Sequence, residues 1–286
     1  MTSDLRDAVA ASVGHPVAEV REIAGGDINR AFRVRLATGT DVFVKHRHDA
    51  APGTYVAEAH GLSWLAAAGA LRVPQVVSVR DEAPRLLVLE WIEQGSPSAT
   101  HDDALGQGLA RLHLAGSPSF GLDRPNLLAT LPQSNAPTET WTEFWSTRRI
   151  EPLVRRAVDA GLLARETLPR WETLFGRMSD LCGPPEPPSR LHGDLWGGNA
   201  IVDEAGAPVL IDPAVYGGHR EVDLAMMRLF GGFSERVFLA YDEVSPLADG
   251  HRDRVPLYQL VPLLVHLILF GGGYRAGVER ALARYA

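Results

Sequence analysis

His192-Gly193-Asp194-Leu195-Trp196-Gly197-Gly198-Asn199, followed at Ile211-Asp212-Pro213 by a second acidic turn, decides how this 286-residue sequence is read. An Asp and an Asn five residues apart on a loop, with a second Asp eighteen residues after the first, is the arrangement that phosphoryl transfer uses. Asp194 would orient an attacking hydroxyl and accept its proton, while Asn199 and Asp212 would hold Mg2+ on the triphosphate of ATP. Mg2+ demands hard oxygen ligands and keeps the rest of its shell for phosphates and water. Taken alone, the same residues also read as a turn closed by an Asx cap, so the remainder of the chain has to decide.

Upstream, Val42-Phe43-Val44-Lys45 reads as a strand ending on the only lysine among 28 basic residues. Codon preference accounts for the arginines and leaves the exception to be explained. Lys45 and Phe43 share a strand face, and Glu58 follows within the next helical pattern, placed to pair with Lys45 and aim it at the α- and β-phosphates. A compact ammonium on a flexible stem suits that task better than a planar guanidinium. Gly25 and Gly26 precede the hairpin and would bend over phosphates with exposed N–H groups, although a Gly pair is also an ordinary tight turn. The backbone around Glu90 and Ile92, at the end of another strand, is the candidate partner for the adenine edge, and reads equally as a plain buried strand.

Composition narrows the field. A formal charge of −7 argues against a nucleic-acid binder or a protein lying on anionic lipid, both of which need a basic face. One cysteine, Cys182, excludes an internal disulfide framework and a Cys-rich zinc site, and fits a reducing cytoplasm. The amino-terminal residues lack the apolar run of a signal peptide. The most apolar stretch, Val255 to Phe270, is shorter than the roughly 18 residues a bilayer span needs and contains Gln259 and His266, so it reads as a buried bundle helix. Neither nucleic acid nor membrane is expected as a partner, and the oligomeric state is not legible.

Periodicity predicts a leading helix over 4–14 and strands at 20–23, 31–36 and 41–46. A helix follows over 54–68, with further strands at 75–79 and 85–91. From about Gly95 the pattern turns helical, at 102–115, 139–160 and 165–181, interrupted by strands at 200–202 and 209–211 before helices resume at 221–231. Regular strand–helix alternation is absent, which excludes an open parallel sheet. The expectation is an α+β fold in two lobes: residues 1–94 a small antiparallel sheet with one helix, on the nucleotide side, and residues 95–286 a mainly helical lobe with the catalytic loop, metal and acceptor sites.

The order of these pieces resembles the fructosamine kinase (ketosamine 3-kinase) family, an aminoglycoside-phosphotransferase-like branch of the protein-kinase-like fold. The pieces that carry the resemblance are Trp196 after His-Gly-Asp-Leu, Asp212-Pro213-Ala214, and the run Tyr216-Gly217-Gly218-His219-Arg220-Glu221-Val222-Asp223-Leu224-Ala225. The resemblance implies a bilobal kinase with Asp194 as base, Asn199 and Asp212 on Mg2+, Lys45 and Glu58 on phosphate, Trp196 as a wall of the sugar site and Asp223 bracing the catalytic loop. It implies transfer of the γ-phosphoryl group of ATP to the 3-hydroxyl of a ketosamine, free or protein-linked, and hence removal of early glycation. Rival readings are an aminoglycoside, choline or other hydroxyl kinase of the same fold, and a nucleotide-binding protein without turnover. Gly193 stands where regulated protein kinases carry an Arg that receives a phosphorylated activation loop, so a constitutively active enzyme is expected.

Overall fold

A computed structural model describes residues 1–23 and 29–286, so the Gly25-Gly26 turn lies outside the described residues. The chain opens with α1 (Ser3–Val13), whose first turn is capped by Thr2 Oγ1 accepting from the Leu5 N–H and whose end is turned by left-handed Gly14. Next come β1 (Val17–Ile23), β2 (Arg30–Leu36), β3 (Asp41–His46), α2 (Thr54–Ala66), β4 (Val76–Arg80) and β5 (Leu86–Glu90). The strands form one antiparallel sheet in the order β1-β2-β3-β5-β4.

Period-two alternation gives this sheet two different faces. Phe32, Val34, Val42, Val44, Leu86 and Val88 pack under Leu5, Ala8 and Val9 of α1 and are almost fully buried. The intervening residues Ala31, Phe43 and Lys45 point the other way, into a cavity beneath the sheet. A one-residue slip of β3 would therefore carry Lys45 to the apolar face, where nothing would answer its charge.

The second half comprises α3 (His101–Leu114), β6 (Asn126–Leu128), β7 (Leu131–Gln133), α4 (Trp141–Phe144), α5 (Glu151–Asp159), α6 (Leu168–Gly176) and α7 (Met178–Leu181). After these come β8 (Ser189–Leu191), β9 (Ala200–Val202), β10 (Pro208–Leu210), β11 (Tyr216–Gly218), α8 (Glu221–Leu229), α9 (Glu235–Val244), α10 (His251–Tyr258), α11 (Leu260–Phe270) and α12 (Arg275–Leu282). The predicted 139–160 helix is interrupted by a wide π turn at Trp145–Ile150 that joins α4 to α5. That turn directs Arg149 inward, between the rings of Phe144 and Tyr216. Strands β6, β7, β8 and β11 have three residues each, too few to show a period, and the sequence pattern does not reveal them.

The apolar stretch at the end of the chain is interior, as expected, but it continues α10. His251–Phe270 together span 20 residues with a mean hydropathy of 1.3, long and apolar enough by length and composition to cross a membrane. Half of it is buried inside the protein, with Leu260, Leu264 and Leu267 fully covered in the helical core. The apolar run counted alone is shorter because it omits the polar first turn of α10.

Two pairs of short strands nest to build the site. β9 and β10 form an inner antiparallel ladder, and β8 and β11 an outer one. The loops between inner and outer ladders, 192–199 and 211–215, therefore face each other. They are sewn together by Ala214 N–H to His192 O (2.9 Å) and Ile211 N–H to Asn199 O (3.0 Å).

The sheet is tied to this unit at its open end. Arg72 bonds both Glu90 and Asp203 at 2.6 Å, Leu210 N–H donates to Arg72 O, and Gly95 N–H donates to Val202 O. Beneath them, Leu62 and Leu65 of α2 share one apolar cluster with Leu105, Leu109, Leu210 and Leu224 of the helical half.

Candidate active site

Lys45 is the centre of the site. Its Nζ lies 2.9 Å from Glu58 Oε1 on α2 and 2.9 Å from Asp212 Oδ1 on the facing loop. Burial works against the ammonium, but the two carboxylates outweigh it and hold its pKa above that of an ordinary lysine. It thus stays charged with only 8% of its side chain exposed. Asp212 is half-exposed and has a left-handed backbone at φ 54. The only other non-glycine with positive φ among the described residues is Ala129, and both line the same cavity. Strain of this kind persists where surrounding structure over-determines it, as at functional sites.

Asp194 projects into the cavity from the loop after β8. Burial and the nearby charge of Asp212 push its carboxyl up to about 7. The amide of Asn199 reaches back to it, donating to Asp194 O at 2.8 Å and to Oδ2 at 3.2 Å. Asp194 and Asn199 are thereby fixed on one turn.

The loop is braced from below by Asp223, fully buried at the start of α8. Its carboxylate accepts from the backbone N–H groups of His192 (2.7 Å) and Gly193 (2.9 Å) and from His113 Nε2 (3.1 Å). Burial would raise its pKa, but these donors and the nearby histidines hold it below the usual carboxylate range. His113 is secured in turn by Tyr241 (2.8 Å). Burial keeps His192 neutral, and its Nε2–H donates to Ile211 O at 2.9 Å, tying the 192–199 loop to the acidic turn.

Gly193 is dictated by space. Its φ is +83, and a β-carbon there would lie 2.1 Å from the Ala214 carbonyl oxygen. No side chain, an arginine least of all, fits between the two loops on this backbone.

The donor set fits a divalent metal of a particular kind. No group of three or more His, Cys, Asp or Glu able to hold an ion occurs among the described residues, so an all-protein cage is absent. Asp212 and Asn199 line the cavity beside Lys45, and with the Asn199 amide nitrogen committed to Asp194 its oxygen is the atom left to act as a ligand. Two hard oxygens suit a small cation that completes its shell with phosphate and water.

The cavity measures about 520 Å³. Trp196 stands at its edge, 42% exposed, with its ring folded over Gly198. Glu90 and Ile92 do not line it: the Glu90 carboxylate is engaged by Arg72 and the Gln75 N–H, and the Ile92 side chain is buried. Most of the Tyr216–Ala225 run is scaffold. Arg220 grips Glu186, Glu221 grips Arg254, and Asp223 holds the loop.

Sequence reasoning missed the far wall, made by Met226, Phe230, His266, Phe270 and Tyr274. These residues come from α8, α11 and the turns after them, with no local spacing to join them to the motif. Cys182 is a packing residue: it is buried and its thiol is pushed up to about 12, too high to supply thiolate at neutral pH.

A sheet-borne lysine answering two carboxylates across an interlobe cavity belongs to the protein-kinase-like phosphotransferases, and solved structures of that class match this fold throughout. A choline/ethanolamine kinase family protein from Mesorhizobium loti aligns with a TM-score of 0.64 over 98% of this chain and 92% of its own, at 19% identity, which is a likeness of fold alone. The family model for fructosamine kinase matches residues 1–286, and the chain belongs to that family, ATP-dependent phosphotransferases acting on a sugar-derived hydroxyl. A Thermobifida fusca protein provisionally named fructosamine-3-kinase is 42% identical, with a TM-score of 0.91 over 100% of this chain and 99% of that one. A Thermus thermophilus protein named a probable ketoamine kinase is 39% identical over 259 residues, covering 91% of each chain.

Proposed function

We propose that the enzyme transfers the γ-phosphoryl group of ATP, with Mg2+, to the 3-hydroxyl of a ketosamine, and so starts the removal of early glycation from amines or protein lysines. The observation that carries the reading is Lys45 Nζ standing 2.9 Å from both Glu58 and Asp212, opposite the loop of Asp194 and Asn199. The names of the relatives supply the acceptor class.

Residues 1–94 are assigned to the nucleotide and 95–286 to catalysis and the acceptor, with Gly25, Gly26 and the backbone, not the side chains, of Glu90 and Ile92 on the ATP side. Lys45, steered by Glu58, holds phosphate oxygens, while Asn199 Oδ1 and Asp212 hold the metal. When bound, Mg2+ neutralises charge on the transferring phosphate. Asp194 takes the proton of the acceptor hydroxyl as it attacks phosphorus. Its raised pKa suits a group that must be ionised near neutral pH and accept a proton in the step. Trp196 offers a face for the sugar.

Because no arginine fits at Gly193, the enzyme needs no activating phosphorylation. ATP consumption measured side by side with ribulosamine, fructosamine, choline and aminoglycoside acceptors, using protein never exposed to a kinase, tests both statements. Turnover confined to choline or aminoglycosides would move the assignment to another branch of the fold. Inert protein that a kinase treatment awakens would end the constitutive reading.

A further inference from the structure

The cavity has two chemically distinct ends. Its charged residues, Lys45, Arg47, Glu58, Asp194 and Asp212, come from β3, the turn after it, α2 and the two facing loops. The end built by α8, α11 and the turns after them contributes no formally charged side chain; there His266 lies within 4.7 Å of Phe230, 5.0 Å of Tyr274 and 5.4 Å of Phe270, centroid to centroid. Burial keeps its imidazole neutral, and its Nδ1–H is spent on Pro262 O at 2.8 Å.

These rings are displayed rather than packed away. Among the described residues the large aromatic side chains left exposed are Trp196, Phe230 and Phe270, at 42%, 41% and 53%, and all three line this one cavity. An apolar patch left open beside a catalytic group marks a binding surface.

The backbone next to the rings is also unusual. Phe230 is followed by Gly231-Gly232 and Phe270 by Gly271-Gly272-Gly273, ahead of Tyr274. A β-carbon on Gly271, Gly272 or Gly273 would meet nothing within 4 Å, and at 272 and 273 the backbone does not demand glycine either. What a glycine contributes at such a place is freedom of the turn.

A ketosamine carries its amine on the first carbon and the reacting hydroxyl on the third. With that hydroxyl at Asp194, the amine substituent leaves the sugar two carbons away, a part of the acceptor that the rest of the same cavity can receive.

We propose that the aromatic end formed by Phe230, His266, Phe270 and Tyr274 is the subsite for the amine-side substituent of the acceptor, and that it selects apolar substituents over those bearing a carboxylate. The proposal rests on the ketosamine reading above. Ring faces receive an aryl or alkyl group and attract the protonated secondary amine. A carboxylate there loses water and gains no cationic partner. The glycine turns let Phe230, Phe270 and Tyr274 adjust to substituents of different girth.

The test compares kcat/KM for fructosamine made from benzylamine with that made from glycine, at saturating ATP, in wild type, Phe270→Ala, Tyr274→Ala and Phe270→Leu. Wild type should prefer the benzylamine adduct by about tenfold or more, chiefly in KM. The ratio should collapse toward one in both alanine variants and be partly restored by Phe270→Leu. A ratio between two substrates of the same variant cancels any general loss of activity or folding. Equal kcat/KM for the two adducts in wild type, or an undiminished preference in both alanine variants, overturns the subsite. Failure to phosphorylate either adduct, with other hydroxyl acceptors turned over, sinks the ketosamine reading and the subsite with it, and is a distinct result.

Discussion

The two ends of the cavity are held in opposite ways. At the charged end each side chain has named partners: Lys45 has two carboxylates, Asn199 reaches Asp194, and Asp223 pins the loop from beneath. At the aromatic end the rings lean on one another and sit beside glycines. Chemistry requires fixed atoms, since a displacement of about 1 Å can cost 10²-fold in rate. Recognition of varied substituents tolerates, and benefits from, an adjustable wall.

Substitutions at the charged end should therefore be severe. The largest effect is expected for Asp194→Asn, which keeps shape and hydrogen bonding but removes the base: kcat should fall by about 10³-fold or more while ATP still binds in a calorimetric titration. A rate within tenfold of wild type would remove Asp194 from the mechanism.

Asp223→Ala comes next, because it strands two backbone N–H groups and His113 in a fully buried site. A loss of about 3 kcal/mol is expected in denaturant unfolding, together with a depressed kcat. An unchanged midpoint would mean that the loop holds itself. Lys45→Arg should lower kcat by about 10²-fold despite preserving the charge, since a planar, longer group cannot meet both carboxylates in a closed pocket. Full activity in that variant would reduce Lys45 to a generic cation.

The smallest effect is one of pH. In the folded protein the Asp194 carboxyl keeps its proton up to about pH 7, whereas unfolded it releases it near 3.8. Between those values the folded state binds more protons, so this group's contribution to stability declines as pH rises through the window. Metal-free Asp194→Asn protein should melt a few degrees above wild type at pH 8 and together with it near pH 4. The kcat/KM of wild type should correspondingly fall as pH drops below about 7. Identical melting curves at pH 8 would show that the carboxyl is not under strain.

What the sequence shows and what it hides follow the same division. Asp194, Asn199 and Asp212 are legible because nested three-residue ladders force them onto two short facing loops, so a short, fixed spacing brings all three to one cavity. Lys45 and Glu58 are legible because a strand and the helix after it obey simple periods. Phe230, His266 and Tyr274 stand 36 to 80 residues beyond Asp194 in the chain, on elements whose burial makes every apolar residue look like core. The glycine runs beside Phe230 and Phe270 were the available signal. The bracing role expected of Asp223 from family resemblance has a physical form in two backbone donors, which no spacing rule announces.

The apolar cluster that α2 shares with α3 and α8 has a consequence for the meaning of the word lobe. Leu62 and Leu65 belong to the same oily interior as Leu105 and Leu224, so the connector near Gly95 marks a change of secondary structure and not a seam in the solid. A chain cut there would yield two fragments, each with one wall of that interior laid bare to water. The protein should therefore melt as a single calorimetric unit, bilobal in outline yet cooperative across the connector, and two separate heat-absorption peaks would contradict this.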